Sequence, residues 1–352
     1  MKILLVAAKL TYSSRTVYTL ELVRGLVRKG HQIEVAALGG PLFSRLKELG
    51  AQEAYQIKFN YFSFKRLLQF MSEFGPEIIH STGGSAPLDT AARFSRLVGA
   101  PLIHTLHSWL EEDQCEELPR NLRGIVAVNE DLRQHLVNER DVPKGRVKVI
   151  PYGVDADMIV PRAEPRAAAH TPVVGAFGRL DRGRRYDEFL RAARVVLDRG
   201  ESVHFMIAGE GPDEDRLRRL ARELKLNDAV TFVEPSQSVD DMYQVLDVLV
   251  VVSDWGGVGL TLLEGMAHGL PVIATGGGEV FPFLAQEGAC MVVPRGDTER
   301  LADAIIELTR DPERAREHGQ RGRANVIKSY PHSEQIEKTV AYYQQVLSSS
   351  GV

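Results

Sequence analysis

Short apolar segments alternate with amphipathic segments along most of this chain of 352 residues. Residues 2–8 and 32–37 have the pattern of buried strands, and helical periodicity runs between them from about Ser14 to Lys29. A serine at the start of that helix and Gly30 after its end are favourable capping residues. Strands that alternate with helices in this way predict a parallel, doubly wound α/β sheet.

The alternation occurs in two stretches of similar length. Between them, residues 160–172 mix proline, alanine and charged side chains without apolar periodicity, which indicates a linker. We therefore predict two Rossmann-like domains, residues 1–162 and 170–329, and a final helix within residues 331–352. In sheets of this kind, ligands bind at the carboxyl ends of the strands.

Composition argues against several functional classes. The net charge of −4 does not indicate a nucleic-acid partner. Two distant cysteines, Cys115 and Cys290, cannot build a disulfide framework or a zinc ligand set. The apolar run at the N-terminus is too short for a signal peptide, and no run approaches the roughly 20 residues of a membrane span. These features predict a cytoplasmic protein without a bound metal or cofactor.

The most informative local pattern is the segment from Ser253 to Ala274. It has the pattern of a strand end, a glycine-rich turn, a helix that starts near Gly259, a Gly269-Leu270-Pro271 break and a second strand. Backbone N–H groups and the positive end of the helix dipole would then converge on one point, which suits a phosphate. Glu264, about one and a half turns into the helix, could bind a sugar hydroxyl. The alternative is a βαβ unit whose glycines serve packing only.

This segment resembles the donor-binding segment of the family 4 retaining glycosyltransferases, which have the GT-B fold. Further motifs at family spacing extend the resemblance over most of the chain: Gly178-Arg179-Leu180 with Arg184, Ile207-Ala208-Gly209-Glu210-Gly211-Pro212, Ile150-Pro151-Tyr152-Gly153-Val154-Asp155, Arg295-Gly296-Asp297 with Leu301-Ala302 and, more loosely, Gly30-His31, Pro76-Glu77-Ile78-Ile79-His80 and Thr105-Leu106-His107. The resemblance implies two Rossmann-like domains facing a cleft, with the last helix crossing back to the first domain.

The resemblance also implies an activity. It predicts metal-independent, retaining transfer of a sugar from a nucleotide-diphosphate donor to a hydroxyl of a glycan, lipid-linked or small-molecule acceptor, as in cell-envelope glycan synthesis. The N-terminal domain would bind the acceptor and the C-terminal domain the donor. A nucleotide-sugar 2-epimerase of the same fold and a nucleotide-sugar-binding pseudoenzyme are the alternatives.

Catalytic roles fall on basic residues if no metal is present. Arg179 follows a predicted strand directly, and Arg184 stands where the family usually has lysine, so both are expected to hold the diphosphate. Arg182 and Arg185 are more typical of a solvated basic turn. His107 ends the strand 101–106, and the resemblance implies that it donates a hydrogen bond to the donor sugar.

Several other residues are expected at the donor site or beside it. His80 ends a neighbouring strand and is more typical of a structural histidine, and His268 is expected to pack on Glu264 at i,i+4. Glu264 is expected to bind the ribose. The predicted donor-binding residues are Ser13, Ser14, Gly209, Gly256, Gly257, Gly259, Leu260 and Glu264.

Two Asp-x-Asp sequences resemble the metal-binding motif of other glycosyltransferases. Asp155-Ala156-Asp157 lies in the predicted hinge entry, and Asp213-Glu214-Asp215 opens a charged helix, where acidic residues favour the helix dipole. Neither position suits a metal-bound nucleotide in this architecture. We therefore interpret both as structural.

Two positions depart from the family pattern. The family has two glutamates separated by seven residues, and Gly256 stands where the first would be. The loop 9–15 lacks the usual glycine pair, although Ser13 and Ser14 still offer donors at a helix start. An altered donor sugar, a substitute carboxylate such as Asp254, or weak activity would each be consistent with the loss at Gly256.

Aromatic and basic residues are mixed in residues 58–71. Such a segment is consistent with peripheral contact at the inner face of a membrane or with a lipid-linked acceptor. Aromatic residues at helical spacing are also typical of a protein core, and that alternative stays open at this point.

Overall fold

The computed structural model describes residues 1–57, 61–108, 118–162, 170–234, 239–253, 259–276 and 284–350. The chain divides into two compact units, Met1–Tyr152 with His332–Val352, and Gly153–Pro331. The division therefore falls earlier than the linker expected from composition, because residues 153–162 group with the second unit. In the described ranges, no helix combines the length and apolarity that crossing a bilayer requires.

The first unit is built on a seven-stranded parallel sheet of strand order β3-β2-β1-β4-β5-β6-β7. The order reverses between β1 and β4, which is the switch point where doubly wound sheets bind ligands. The strands are β1 (Lys2–Ala7), β2 (Gln32–Ala37), β3 (Glu53–Gln56), β4 (Ile78–Thr82), β5 (Leu102–Leu106), β6 (Leu122–Ala127) and β7 (Val147–Val149).

Helices connect these strands, and their ends follow local chemistry. In the first of them, the Ser13 hydroxyl caps the N-terminus by accepting from the Thr16 N–H, and Gly30 follows the C-terminus with a φ of +80°. The described helices of this unit are α1 (Ser14–Arg28), α2 (Arg45–Glu48), α3 (Tyr61–Phe74), α4 (Ser85–Val98), α5 (Glu130–Asn138) and the C-terminal helix, α12 (His332–Ser350).

The sequence did not predict strand β3. Its residues, Glu53-Ala54-Tyr55-Gln56, are mostly polar and none of them is fully buried, because β3 is an edge strand that pairs only with β2. An edge strand with mostly polar and only partly buried residues lacks the apolar alternation from which strands are recognised.

Helix α3 contains most of the segment that combined aromatic with basic residues; residues 58–60 lie outside the described residues. Leu67, Phe70, Met71 and Phe74 are all buried, at spacings that form one helix face. The ring of Phe70 also lies 3.6 Å from that of Tyr55 between centroids. These side chains therefore belong to the core, which favours the core interpretation for this face of the segment.

The C-terminal helix α12 packs in the first unit. The Tyr342 hydroxyl donates to the Arg146 carbonyl at 2.8 Å and accepts from the Ile125 N–H at 3.2 Å. Gly124 is required beside it, since a Cβ at that position would lie 2.5 Å from the Tyr342 oxygen. The chain thus returns to its first unit after completing the second.

The second unit contains a six-stranded parallel sheet of order β10-β9-β8-β11-β12-β13, with its switch point between β8 and β11. The strands are β8 (Val173–Phe177), β9 (His204–Ala208), β10 (Val230–Val233), β11 (Val248–Val251), β12 (Val272–Thr275) and β13 (Met291–Val293). The described helices are α6 (Tyr186–Asp198), α7 (Glu214–Glu223), α8 (Val239–Gln244), α9 (Leu260–Ala267), α10 (Thr298–Arg310) and α11 (Pro312–Ser329).

Apolar side chains from the strands and from α6 and α10 form the core of this unit. Phe189 on α6 meets Phe205 on β9 edge to face, with ring centroids 5.7 Å apart, and both are fully buried. Burial of one such side chain contributes about 1.5–3 kcal/mol. Packing in this core therefore fixes the positions of β8 and β9, and the candidate site begins at their carboxyl ends.

Candidate functional site

A basic turn follows β8 at the carboxyl edge of the second sheet. The N–H of Gly178 donates to the Ala208 carbonyl at 3.0 Å, and that of Leu180 donates to the Glu210 carbonyl at 2.9 Å. Between these anchors the side chain of Arg179 is 65% exposed and its Nε lies 3.5 Å from Asp181 Oδ2. The backbone is thus fixed while the guanidinium of Arg179 remains accessible to an anion.

Asp181 organises the rest of this turn. Its Oδ1 accepts from the Arg184 N–H at 3.2 Å and so caps a short 3₁₀ turn over Arg182–Arg184. Arg184 is partly buried, whereas Arg182 is exposed. The structure therefore brings both predicted diphosphate ligands, Arg179 and Arg184, into one turn beside the switch point.

Arg185 departs from the solvated role predicted for it. Its φ is +47°, in the left-handed region that residues other than glycine rarely adopt. Its guanidinium pairs with the Glu188 carboxylate at 2.8 Å. It precedes helix α6 directly, so the ion pair fixes the start of that helix. Arg182 is exposed, as predicted for a solvated basic turn.

Gly209 has a packing role. A Cβ at this position would lie 1.8 Å from the Gly178 carbonyl oxygen, so only glycine allows the loops after β8 and β9 to touch. Gly211 is similar, with its Cβ position 2.3 Å from the Leu180 carbonyl oxygen. The predicted ligand contact of Gly209 stays a prediction, whereas its support of the Arg179 turn is visible in the structure.

Helix α9 begins after Gly259, as the glycine-rich pattern predicted. Gly259 is extended, and a Cβ there would meet no atom within 4 Å among the described residues. Leu260 is buried and anchors the first turn. Asp254, Gly256 and Gly257 lie outside the described residues, so their predicted roles stay predictions.

Glu264 projects from the second turn of α9, and sequence reasoning missed its partner. The hydroxyl of Tyr243, on α8, donates to Glu264 Oε2 at 2.9 Å. Burial, followed by the negative charge of Glu264, raises the pKa of Tyr243, so the phenol stays protonated and serves as a donor. A lone aromatic residue on a short polar helix gave no signal for this contact.

His268 packs against Glu264 as predicted, but through the backbone. Its Nδ1 lies 2.8 Å from the Glu264 carbonyl oxygen, and its Nε2 lies 3.1 Å from Asp240 Oδ1. The imidazole stacks on the ring of Tyr243 with centroids 4.5 Å apart. His268 therefore holds Tyr243 in place and leaves the carboxylate of Glu264 to other partners.

His107 lies just after β5 in the first unit. Its Nδ1 lies 2.9 Å from the Tyr152 hydroxyl, while its Nε2 is buried without a hydrogen-bonding partner among the described residues. Burial, then the positive charge of Arg15 and the neighbouring histidines, lowers its pKa well below the usual 6.5. The ring is therefore neutral at pH 7 and carries one N–H, which is sufficient to donate to a hydroxyl.

His80 is structural. Its Nδ1 lies 2.6 Å from the Tyr343 hydroxyl of α12, and its Nε2 lies 2.7 Å from Thr105 Oγ1. Burial lowers its pKa to about 3, with a smaller effect of His104. Both ring nitrogens are thus used within the protein. Ser13 is also committed, to the cap of α1, and Ser14 is the first residue of that helix.

The structure gives local contacts to parts of both Asp-x-Asp sequences. Asp213 is buried and pairs with Arg216 at 2.6 Å, while Glu214, the next residue, pairs with Arg218 at 2.8 Å. Asp155, in the other pair, accepts the Met158 N–H through its backbone carbonyl. Across the ranges that the structure describes, no group of three or more His, Cys, Asp or Glu side chains is arranged to hold a metal.

Comparison with known proteins decides the family. The model of glycosyl transferases group 1 matches residues 161–325, and the model of glycosyltransferase family 4 matches residues 16–158. The chain belongs to the group 1, family 4 glycosyltransferases. The first match covers the Arg179 turn and Glu264, and the second covers His107.

Curated sequence relatives share about a third of their residues with parts of this chain. A D-inositol 3-phosphate glycosyltransferase of Nocardia farcinica is 30% identical over 260 residues, which cover 64% of this chain and 57% of that protein. An N-acetyl-alpha-D-glucosaminyl L-malate synthase of Bacillus anthracis is 32% identical over 158 residues, 44% of this chain and 39% of that protein. The chain thus spans less than two thirds of the length of these curated relatives.

Solved structures establish the fold along nearly the whole chain. HepE of Anabaena, in complex with UDP and glucose, has a TM-score of 0.81 at 16% identity, covering 98% of this chain and 99% of that one. A glycosyltransferase of Rickettsia africae has a TM-score of 0.77 at 18% identity, with 98% of both chains covered. At such identities the likeness concerns the fold, which is GT-B as predicted.

Proposed function

We propose that this protein transfers a sugar from a nucleotide-diphosphate donor to a hydroxyl of an acceptor, with retention of anomeric configuration and without metal. The observation that carries the proposal is in the second unit. Arg179 and Arg184 share one fixed turn at the switch point, and the family match covers the same residues. A cationic turn at this edge of a doubly wound sheet suits a diphosphate.

Donor binding follows from these side chains. Arg179 and Arg184 take the diphosphate, with Gly256, Gly257 and Gly259 allowing close approach of the backbone to it. Glu264 takes the hydroxyls of the ribose, and Tyr243 orients its carboxylate through the hydrogen bond at Oε2. UDP and UDP-glucose are bound in structures of Anabaena HepE, which shares this fold, and a nucleotide sugar fits the same assignment.

Catalysis would act on the leaving group. The bond from the anomeric carbon to the phosphate oxygen breaks with its electron pair moving to the diphosphate, whose growing charge the two arginines stabilise. Without a side chain assigned as a nucleophile, the acceptor oxygen attacks on the face that the diphosphate leaves. Its proton passes to the departing phosphate oxygen. His107 donates a hydrogen bond to a hydroxyl of the donor sugar.

For the acceptor we propose only a chemical class, which is a hydroxyl of a glycan, a lipid-linked sugar or a small molecule. The relatives named above act on different acceptors, so the fold does not select among them. Because Gly256 replaces a family glutamate, we expect altered handling of the donor sugar. Neither a 2-epimerase nor a pseudoenzyme is favoured by the comparisons.

One experiment separates these activities. The purified chain is incubated with a panel of nucleotide sugars, with and without a mixed set of acceptors, and products are resolved by mass spectrometry and NMR. Transferase activity predicts acceptor-dependent release of nucleoside diphosphate and an α-linked product from an α-linked donor. Acceptor-independent change at C2 would indicate an epimerase instead. Binding of nucleotide sugar without turnover of any pair would contradict the enzymatic assignment.

A further inference from the structure

Tyr152 lies in the motif at residues 150–155, and the structure gives its hydroxyl a specific partner. The hydroxyl of Tyr152 lies 2.9 Å from His107 Nδ1. The two rings are nearly parallel, at 14° with centroids 5.9 Å apart, and Tyr152 is buried. A second tyrosine, Tyr18, meets the His107 ring edge-on at 4.8 Å. Of these two tyrosines, Tyr152 is the one whose hydroxyl reaches His107, because the Tyr18 hydroxyl bonds Thr105 at 3.0 Å.

The chemistry of this contact decides which nitrogen carries the imidazole proton. Burial and the nearby Arg15 charge lower the pKa of His107, so the ring is neutral and bears one N–H. A phenol is a stronger acid than a neutral imidazole N–H, and the unprotonated ring nitrogen is a better acceptor than a phenol oxygen. Tyr152 therefore donates to Nδ1, and the ring proton resides on Nε2.

Among the described residues, nothing bonds to His107 Nε2, although the atom is buried. A buried N–H without a partner costs about 1–3 kcal/mol, which a bound ligand oxygen would recover. Arg15 is not available to accept a proton from it, since guanidinium is a donor only.

We propose that Tyr152 is a positioning residue that locks His107 in the tautomer with its proton on Nε2, ready to donate to an oxygen of the bound sugar. The statement about the sugar rests on the proposed function, whereas the statement about the tautomer concerns the ligand-free protein alone.

The test is carried out on the full chain labelled with ¹⁵N-histidine. Long-range ¹H–¹⁵N spectra distinguish the two neutral tautomers, and the His107→Gln variant assigns the His107 signals. We compare Tyr152→Phe, which removes only the hydroxyl, with Tyr18→Phe as the matched control that keeps the Tyr152 contact. Circular dichroism checks folding, and Tyr152→Asn, with its shorter side chain, provides a second variant without the phenol.

In the wild-type protein and in Tyr18→Phe, we expect protonation at Nε2 alone. In Tyr152→Phe and Tyr152→Asn, we expect shifts typical of exchange between both tautomers. Protonation at Nδ1 in the wild type, or unchanged spectra in both Tyr152 variants, would overturn the proposal. An equal change in Tyr18→Phe would also overturn it, since ring packing and not the hydroxyl would then control the tautomer.

Ligand binding tests the contact of His107 with the sugar separately from the tautomer. By calorimetry, Tyr152→Phe should bind a nucleotide sugar about two- to tenfold more weakly than the wild type does. Binding of the corresponding nucleoside diphosphate should be unchanged, because His107 is assigned to the sugar. Equal weakening of both ligands would contradict the sugar contact. Failure of the wild type to bind any nucleotide would instead refute the proposed function, without affecting the tautomer result.

Discussion

The Tyr243 hydroxyl donates to Glu264 Oε2 over 2.9 Å, which ties helix α8 to the carboxylate on α9. His268 stacks on the other face of that tyrosine and bonds the backbone of Glu264. The carboxylate is thus oriented by a neutral donor, because burial and the charge of Glu264 raise the pKa of Tyr243 and keep its phenol protonated. This arrangement suits orientation of a ligand more than proton transfer.

Removal of the Tyr243 hydroxyl should therefore affect donor binding. In Tyr243→Phe, we expect the KM for the donor to rise about two- to tenfold with kcat nearly unchanged, because one neutral hydrogen bond is lost. Glu264→Gln should likewise raise KM more than it lowers kcat. Tyr186→Phe is the control, since Tyr186 is a buried tyrosine of the same unit whose hydroxyl has no partner among the described residues. A collapse of kcat at constant KM in Glu264→Gln would instead assign proton transfer to Glu264.

Affinity for the diphosphate should depend on Arg179 and Arg184. Charge-assisted bonds are worth about 1.5–3 kcal/mol each, so either alanine variant should bind nucleoside diphosphate roughly 10- to 150-fold more weakly. Arg184→Lys should be milder than Arg184→Ala, because it keeps the positive charge. Arg182→Ala, in the same turn but exposed, serves as the control in the calorimetric titration. Wild-type affinity in both alanine variants would refute the site.

Turnover should persist in excess chelator. The proposed mechanism stabilises the leaving diphosphate with arginines, so no divalent cation is needed for that charge. Initial rates are measured in EDTA and again after addition of Mg²⁺ or Mn²⁺ to metal-stripped protein. Activity that is lost in chelator and restored by either cation would revive a metal role for one of the Asp-x-Asp sequences.

Two glycines of the second unit should respond differently to alanine. In Gly209→Ala the new Cβ would overlap the Gly178 carbonyl oxygen, at a distance of 1.8 Å. We expect a loss of about 1–3 kcal/mol in the free energy of unfolding, measured by urea denaturation. In Gly259→Ala the new Cβ would meet no atom within 4 Å in the part of the chain that the structure describes, so this variant should fold with nearly unchanged stability but bind nucleoside diphosphate more weakly. Equal stability of the two variants would contradict the packing role of Gly209.

The free energy of unfolding should fall as the pH is lowered from about 6.5 toward 3. The pKa of His80 in the folded protein is about 3, below the ordinary value of about 6.5, so the unfolded chain binds more protons across this range. Each such histidine contributes a slope of about 1.4 kcal/mol per pH unit, and stability rises with pH. In His80→Gln, the slope of the free energy of unfolding against pH should be smaller by the contribution of about one proton. Urea denaturation at a series of pH values measures this slope. An unchanged slope would show that His80 does not titrate in this way.

The sequence by itself determined the fold, and it is also the source of the proposed donor site. Strand periodicity and the glycine-rich turns predicted two parallel sheets. Arg179 and Glu264 were proposed as ligand contacts because each occurs beside such a turn, and Arg184 because it stands where the resembling family has lysine. These signals are local: a strand end, a turn and a helix start follow one another along the chain. Ligand-binding residues that follow the carboxyl end of a parallel strand can therefore be predicted from a few consecutive residues.

Only the tertiary structure decided which side chains hold those residues in place. Tyr243 lies on a different helix from Glu264, and Tyr152 is distant in sequence from His107, so no periodicity links either pair. The edge strand β3 was missed for a related reason, because its stability comes from pairing with β2 and not from an apolar pattern of its own. Hydrogen bonds between distant segments depend on where the folded backbone brings them together, which local composition does not encode.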